Sequence, residues 1–426
     1  MPSAKTPAVL SQYTAADHRR RLENIGVCER GIRSCMRRHL VTSYLPGQCV
    51  YGLKGSNLEP SEEDDRALAR MAKQGIRLVQ IWSRWWRNCW GGDPMYQAAN
   101  PEGLRRFIDL VHSHGLKIIP YTSTNFFERT DPNFRPAWAT HQEYDLVESD
   151  YHLAHCSPAS PGWRAHVLAA TIRVLDDYGF DGLYNDMGYH RPSDIVRWGK
   201  YYLQQPKVAE DEVLAFAEGP TCDGAAADML ALIYAEVKRR GGIYKLHKEG
   251  VDRIHTGLEV YDYLWVGEAV TDVEFLRRTT KNYEPYVIPE FSRNFRLKSE
   301  DELYLNSIPY LQFPVSRTAQ TGGTLEDQRL HAAWLKQYLP MVEEGTWAWL
   351  DIGDSDLFLA PLPKDVVVSA FANRGLYLVL ANFGLAPVEI VTRDEYVPVL
   401  RPAAQPAKRT IWKLPRRSLQ IVRKAV

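Results

Sequence analysis

The sequence predicts an α/β fold, a (β/α)₈ TIM barrel with a C-terminal antiparallel β-sandwich domain. Short apolar strands alternate with amphipathic helices over about 300 residues, and beyond about residue 345 the pattern changes to short β-like runs. The chain has 426 residues, a length that suits one large domain and a smaller one. We predict a leader and packing helix over 1–44, the barrel over 45–344 and the β-sandwich over 345–426.

Eight barrel strands are predicted between helix signals. Ser61 begins a capping-box pattern, and Pro101 and Pro161 each open a helix. The predicted strands cover 48–53, 76–82, 116–121, 179–186, 242–247, 263–268, 286–290 and about 307–313. A doubly wound open sheet is the alternative, and no Gly-rich phosphate loop supports it. Before the barrel, a helix is predicted over about 15–38.

In the tail, the β-like runs cover 366–371, 376–383, 387–392, 410–413 and 419–422, broken by Gly, Pro and Asp.

Charge and composition narrow the function classes. Lys plus Arg and Asp plus Glu each number 52, so no net basic field favours nucleic acid or an anionic membrane as a partner. We see no signal-peptide core or membrane-spanning apolar run, and predict a cytoplasmic protein. The six Cys residues form no zinc-ligand pattern, and no cofactor is expected. Twelve Trp and 23 Tyr suit a carbohydrate partner, because aromatic rings pack on apolar sugar faces.

Carboxylates at predicted strand ends indicate the chemistry. Asp186 ends the fourth predicted strand, Glu268 the sixth and Glu290 the seventh. Active sites of TIM barrels lie at the carboxyl ends of the strands, where side chains from different strands meet. Two carboxyl groups across one bond are the usual requirement for glycoside hydrolysis. We therefore predict Asp186 and Glu268 as catalytic residues, with Glu290 as the alternative to Glu268.

Polar and aromatic residues near the same strand ends are predicted to bind substrate. Lys245 and His247 alternate along one strand, so both are expected on one face. His247 is expected to hydrogen-bond the substrate or a carboxylate. The full predicted set is Trp82, Arg84, Trp85, Tyr121, Asn125, Tyr184, Lys245, His247, Trp265 and Glu290.

Two segments carry a family resemblance. The run Cys156-Ser-Pro-Ala-Ser-Pro-Gly-Trp-Arg164 and the strand Gly179-Phe-Asp-Gly-Leu-Tyr-Asn-Asp186 resemble retaining α-glycoside hydrolases of the α-galactosidase and α-glucosidase superfamily. The resemblance implies a barrel with a C-terminal β-sandwich. It also implies a nucleophilic Asp after strand four, here Asp186, and an acid/base carboxylate after strand six, here Glu268.

The sequence departs from that pattern at two positions. The α-galactosidase families usually have Lys two residues before the nucleophile, where this chain has Tyr184, and their strand-six acid is usually Asp rather than Glu. A Glu acid does occur in the related endo-acting α-N-acetylgalactosaminidases. The sequence therefore predicts a retaining α-glycosidase. Two alternatives are a non-catalytic carbohydrate-binding barrel and a barrel hydrolase or lyase that uses a carboxylate-bound metal.

Overall fold

The structure is a computed structural model with two compact units. It describes residues 13–32, 37–41, 45–55, 57–82, 85–87, 90–139, 145–148, 151–186, 219–247, 260–265, 287–288, 301–343, 345–399 and 408–425. One unit comprises residues 49–72 and 78–266, and the other comprises 1–48, 73–77 and 267–426. The predicted domain boundaries at 44 and 344 stay a prediction.

The described part of the chain contains seven α-helices and eighteen strands. The helices are α1 (Ala15–Gly31), α2 (Glu62–Gln74), α3 (Pro101–Ser113), α4 (Pro161–Asp177), α5 (Gly219–Arg239), α6 (Asp301–Ser307) and α7 (Leu325–Tyr338). The strands are β1 (Arg37–Val41), β2 (Gln48–Tyr51), β3 (Leu78–Ile81), β4 (Lys117–Ser123), β5 (Phe126–Glu128), β6 (Asp145–Glu148), β7 (Tyr151–His155), β8 (Gly182–Asp186), β9 (Ile243–His247), β10 (Tyr263–Trp265), β11 (Val287–Ile288), β12 (Ser316–Arg317), β13 (Thr346–Leu350), β14 (Val366–Ala372), β15 (Leu376–Asn382), β16 (Val388–Pro398), β17 (Arg409–Leu414) and β18 (Ser418–Lys424).

A parallel half-barrel forms the centre of the first unit. Its strands run in the order β10-β9-β8-β4-β3-β2, and the pairs from β3 to β10 are parallel. The strands are almost wholly buried, as expected where helices cover a parallel sheet. Ser160 caps α4 and Asn100 caps α3, each accepting a hydrogen bond from a backbone N–H in the first turn. This confirms the βα alternation, and closure into a full barrel stays a prediction.

Asp181 and Gly182 fix the register at the amino-terminal end of β8. The Asp181 backbone donates to Ile118 and accepts from Ile243, and its carboxylate accepts from the Ile118 N–H at 2.8 Å. Gly182 has φ +148°, and a Cβ there would lie 1.8 Å from the Ile243 carbonyl oxygen. Only glycine allows β9 to approach β8 this closely.

A small antiparallel sheet, β5-β7-β6, lies in the long connection between β4 and α4. Backbone hydrogen bonds join it to the half-barrel: the Cys156 N–H donates to Asn125 at 2.6 Å, and the Glu128 N–H donates to Trp90 at 2.8 Å. The connection that the sequence left without an assigned element therefore contains ordered structure attached to the end of β4.

The second unit contains a seven-stranded antiparallel sheet in the order β1-β13-β14-β15-β18-β16-β17. Alternate side chains of β14 and β15 share one apolar core with Ile25 and Cys28 of α1. The predicted tail strands are confirmed. The described residues place them in one sheet, however, so the two-sheet sandwich is not observed; the 11-residue strand β16 pairs with both β17 and β18 through a bulge.

The eighth predicted barrel strand, at about 307–313, is wrong. Helix α6 occupies 301–307, and a 3₁₀ turn over Ile308–Tyr310 follows it. Pro309 fits the start of a 3₁₀ turn because its missing N–H is not needed there. A short apolar run of this kind cannot be assigned to strand or helix from its pattern alone. The first helix is also shorter than predicted, ending at Gly31, and β1 begins at Arg37.

No helix among the described residues is long and apolar enough to cross a membrane.

Gly182→Ala should lower the free energy of unfolding by about 3 kcal/mol or more, because the new methyl group overlaps the β9 backbone and a positive φ is unfavourable for Ala. Urea unfolding followed by tryptophan fluorescence measures the change. Gly224→Ala is the control, since Gly224 lies in α5 with no atom within 4 Å of the added Cβ. That control should be neutral or more stable. Equal effects of the two substitutions would contradict the close approach at Gly182.

Candidate active site

Parallel pairing brings side chains of β4, β8, β9 and β10 into rows. Tyr121, Tyr184, Lys245 and Tyr263 are aligned in one row. Two residues further along, Asp186 pairs with Ser123 of β4, and His247 pairs with Trp265 of β10. Residues two apart on a strand point to the same face. The rows therefore place a carboxylate, an imidazole and an ammonium group on one face, near the carboxyl ends of the strands.

Three side chains donate hydrogen bonds to the Asp186 carboxylate. His247 Nδ1 lies 2.5 Å from Oδ1, and the Tyr184 hydroxyl donates to the same oxygen at 3.2 Å. The Tyr121 hydroxyl donates to Oδ2. Side chains of Asp186 and His247 are 16% and 10% exposed, whereas Tyr121 and Tyr184 are 4% and 2% exposed as whole residues. Asp186 is thus the most accessible member of this group, which we call the Asp186 cluster.

The cluster keeps Asp186 ionised. Burial raises the pKa of Asp186, but the charge and hydrogen bond of His247 and the hydroxyls of Tyr121 and Tyr184 outweigh that effect and hold the pKa below its ordinary value. A carboxylate that stays charged in a buried, hydrogen-bonded setting is suited to act as a nucleophile or to orient a neighbouring group.

Lys245 lies one row below His247 and is fully buried. Its Nζ is 4.0 Å from the centre of the Trp265 ring and 5.7 Å from that of Tyr184, both within cation–π range. Trp265 is also buried, and its indole N–H has no hydrogen-bond partner in the described part of the chain. The ammonium group therefore lies under aromatic rings at this point of the sheet.

A cavity of about 340 Å³ opens at the ends of β2 and β3 and is lined by Gly52, Leu53, Asn57, Trp82 and Ala99. This volume is within the range of small-molecule sites. Half-buried Trp82 contacts the Tyr121 ring, with 5.7 Å between the ring centres. The cavity is thereby connected to the Asp186 cluster through two aromatic rings.

Trp85 is 1% exposed and supports the site from within the core. Its ring packs on Trp86, Tyr96 and Phe180, and its indole donates to the Tyr121 carbonyl at 2.8 Å. Asn125 follows β4 and is fully buried, and its side-chain amide has no hydrogen-bond partner among the residues that the structure describes. An unpaired buried amide is costly, and the predicted role of Asn125 in binding substrate stays a prediction.

Three predicted site residues, Arg84, Glu268 and Glu290, lie outside the described residues. Two further residues that support the site, Tyr96 and Ser123, were not predicted. The Tyr96 hydroxyl donates to the Ser123 carbonyl and accepts from the Ser123 N–H at 3.0 Å. These contacts hold the end of β4 beside Asp186. Tyr96 lies in an irregular segment, so no sequence pattern indicates its role. In the described ranges, no group of three or more His, Cys, Asp or Glu side chains could hold a metal ion.

No family model matches the chain, and no curated protein matches it in sequence. Solved structures do match. A maltogenic α-amylase, AmyB of Thermotoga neapolitana, gives a TM-score of 0.56 at 11% identity over 90% of this chain and 98% of that one. An α-amylase of Geobacillus thermoleovorans, complexed with acarbose, gives a TM-score of 0.54 at 11% identity, over 90% of this chain and 97% of that one.

The α-galactosidase AgaA of Geobacillus stearothermophilus, in complex with stachyose, gives a TM-score of 0.55 at 11% identity. That match covers 96% of this chain and 59% of the α-galactosidase, so the chain spans little more than half of that enzyme. The chain has an α-glycoside-hydrolase-like fold. This confirms the resemblance at the level of the fold, with a barrel-like parallel sheet and a separate C-terminal antiparallel sheet.

Asp186→Asn should lower the free energy of unfolding by about 1–3 kcal/mol at pH 7, because the amide keeps the shape but loses the charge to which three donors bond. The pKa of Asp186 is depressed by folding. Its contribution is therefore present above about pH 4, the unfolded value, and is lost as the pH falls through the folded pKa. Because the partner His247 gains charge in the same range, the difference between wild type and variant should stay the same or grow, and should not shrink, between pH 7 and pH 5.

Urea unfolding at both pH values measures that difference. Asp176→Asn is the control, because the Asp176 carboxylate pairs with Arg240 and is 54% exposed. This substitution should lower the free energy of unfolding by less than about 1 kcal/mol. A difference that already shrinks between pH 7 and pH 5 would show that the pKa of Asp186 is not depressed.

Proposed function

We propose that this protein is a retaining α-glycoside hydrolase in which Asp186 is the nucleophile. The observation that carries the proposal is the position and state of Asp186. It ends a central strand of a fold shared with α-amylases and α-galactosidases, and three donors keep its carboxylate ionised and partly accessible. No organic cofactor or metal enters the proposed reaction.

The reaction has two steps. The Asp186 carboxylate attacks the anomeric carbon while a carboxylic acid protonates the departing oxygen, and water then hydrolyses the glycosyl-enzyme with that second group acting as base. We assign the acid/base role to Glu268, with Glu290 as the alternative. A retaining mechanism requires about 5–5.5 Å between the two carboxyl groups.

The sugar is proposed to bind beside Trp82, which lines the cavity at the ends of β2 and β3 and contacts the ring of Tyr121. Arg84 and Asn125 would supply polar contacts to hydroxyl groups. The complexes of similar structures with acarbose and stachyose support carbohydrate as the ligand class. Sugar identity and linkage are left to a substrate panel.

One observation favours a second candidate function. Asp186 contacts Nδ1 of His247, the arrangement in which a carboxylate orients an imidazole and leaves Nε2 to act as a general base. In that case His247 would remove a proton from water or substrate, and Asp186 would form no covalent bond. The reaction would then be a general-base hydrolysis or an elimination.

A panel of aryl α- and β-glycosides tests the proposal, with the anomer of the first product followed by NMR. We expect hydrolysis of at least one α-glycoside with retention. Asp186→Ala should lower kcat/KM by at least about a thousandfold, because the covalent route is lost. Added azide should restore aglycone release from this variant and yield a β-glycosyl azide, since azide fills the space of the lost carboxylate.

Asp181→Asn is the matched control for this experiment. Asp181 lies just before the same strand at its other end, where its carboxylate bonds His112 and Lys117. Its loss should reduce stability and leave kcat/KM within about twofold of wild type at temperatures where the variant is folded. A product of inverted configuration would favour the general-base candidate. So would an inactive Asp186→Ala variant that azide does not rescue, if loss of His247 abolishes activity to the same extent.

The wild type should stay active to low pH, whereas a variant without His247 should lose activity at a higher pH. Burial raises the pKa of Asp186 and His247 opposes that effect, so His247→Ala should raise this pKa and move the acid limb of kcat/KM to higher pH. His247→Asn, which restores a donor without the charge, should give an intermediate shift. In the wild type the limb due to Asp186 should lie at or below about pH 4.

Profiles of kcat/KM between pH 3.5 and 7 measure these limbs. His112→Ala serves as the control, because His112 pairs with Asp181 at the opposite end of the strand, 2.8 Å from its carboxylate. That profile should match the wild type. An unchanged acid limb in His247→Ala would show that His247 does not control the ionisation of Asp186.

A further inference from the structure

The two oxygens of Asp186 are bonded differently. Oδ1 lies within hydrogen-bond distance of both His247 and Tyr184, whereas Oδ2 accepts from Tyr121 alone among the described residues. A carboxylate offers about two acceptor positions on each oxygen. The described donors therefore fill Oδ1 and leave one position of Oδ2 for another atom.

The strand order gives the two oxygens different surroundings. Strand β8 lies between β9, which carries His247, and β4, which carries Tyr121. Oδ1 bonds to the β9 side and Oδ2 to the β4 side. The cavity lined by Trp82 lies beyond β4, at β2 and β3, and the Trp82 ring contacts Tyr121. The oxygen with the unfilled position is thus the one bonded to β4, and in the strand order β3, β2 and the cavity lie beyond β4.

From this arrangement we propose that Oδ2 is the oxygen that attacks the sugar and that the Tyr121 hydroxyl drives its release in the second step. The inference rests on the proposed function, since it assigns atoms within that reaction. Tyr121 is then a catalytic residue, because its hydroxyl contacts a reacting atom. His247 and Tyr184 hold Oδ1 and orient the carboxylate.

In the first step a bond forms between Oδ2 and the anomeric carbon, the glycosidic carbon–oxygen bond breaks, and the leaving oxygen takes the proton of the acid. In the second step a water oxygen attacks that carbon and its proton passes to the same group, now a base. The bond to Oδ2 breaks with its electron pair, which restores the carboxylate.

The Tyr121 hydrogen bond acts unequally on the two steps. A donor stabilises a carboxylate more than the neutral ester formed from it. In the first step the carboxylate is the reactant, so the bond gives no acceleration. In the second step the carboxylate is the leaving group, so the bond stabilises the developing charge. Loss of the hydroxyl should therefore slow hydrolysis of the intermediate and spare its formation.

Tyr121→Phe tests this inference in the full-length protein with the best aryl α-glycoside of the panel. The ring contacts with Trp82, Trp86, Trp90 and Tyr184 do not need the hydroxyl, so the variant should fold. We expect kcat and KM to fall together by about tenfold or more, with kcat/KM within about threefold of wild type. Stopped-flow should show a burst of aglycone, and acid-quenched protein should carry the mass of one glycosyl group.

Two further Tyr→Phe variants act as comparisons. Tyr184→Phe removes the longer bond to Oδ1 and should give a smaller change in kcat without a burst. Tyr244→Phe is the matched control for loss of a buried hydroxyl, because Tyr244 accepts from Asn185 at 2.8 Å and does not bond Asp186. It should change neither constant by more than about twofold.

Several outcomes would overturn the assignment. One is a fall of kcat/KM in Tyr121→Phe with KM unchanged and no burst, and another is a burst of equal size in Tyr184→Phe. If the wild type retains configuration and Asp186→Ala is rescued by azide, such results reject the role of Tyr121 alone. If the wild type turns over no glycoside, the proposed function and this inference fail together.

Discussion

The register among β4, β8 and β9 is the constraint on which the candidate site depends. Side chains alternate between the two faces of a strand, so a slip of one residue would turn Asp186 or His247 away from its partners. The Asp181 backbone, which a side-chain substitution leaves in place, opposes that slip at the far end of β8 by bonding Ile118 and Ile243 of the two neighbouring strands. Gly182 permits the close approach of β9. The geometry at the carboxyl ends is therefore set about five residues away, where a His–Asp pair also lies.

Much of the fold can be predicted from the sequence, because local patterns of residues mark its strands and helices. Apolar runs, proline and glycine mark the strands and helices of the half-barrel, and the alternation of Lys245 and His247 correctly places both on one face. Local patterns do not predict the structure of segments whose conformation is set by tertiary packing. The run around Pro309 is apolar enough for a strand, yet it forms a 3₁₀ turn. In the tail, β16 pairs with β17 on one side of a register shift between Val391 and Tyr396 and with β18 near its end, and the alternation of one strand does not show which strands it pairs with.

The site is less predictable than the fold for a similar reason. A strand end followed by a carboxylate indicates where to look, and it led to Asp186. The donors that define the carboxylate come from β4 and β9, 65 and 61 residues away along the chain. Their contact depends on the pairing register and on side-chain length, neither of which a single strand reveals. The role of Tyr96 is harder still to predict, because this residue holds the end of β4 from an irregular segment.

The position two residues before Asp186 shows why the fold does not fix the sugar. The resemblance implies a lysine there, and this chain has Tyr184, whose hydroxyl bonds Asp186 itself. A lysine is present at the paired position of the neighbouring strand, Lys245, but its ammonium group lies against the Trp265 ring and is fully buried. A cation packed against rings is held there by cation–π contacts, and Lys245 does not line the cavity at β2 and β3. The chain therefore departs from the resemblance at the strand position nearest Asp186, so the substrate of those families cannot be inferred from the fold alone.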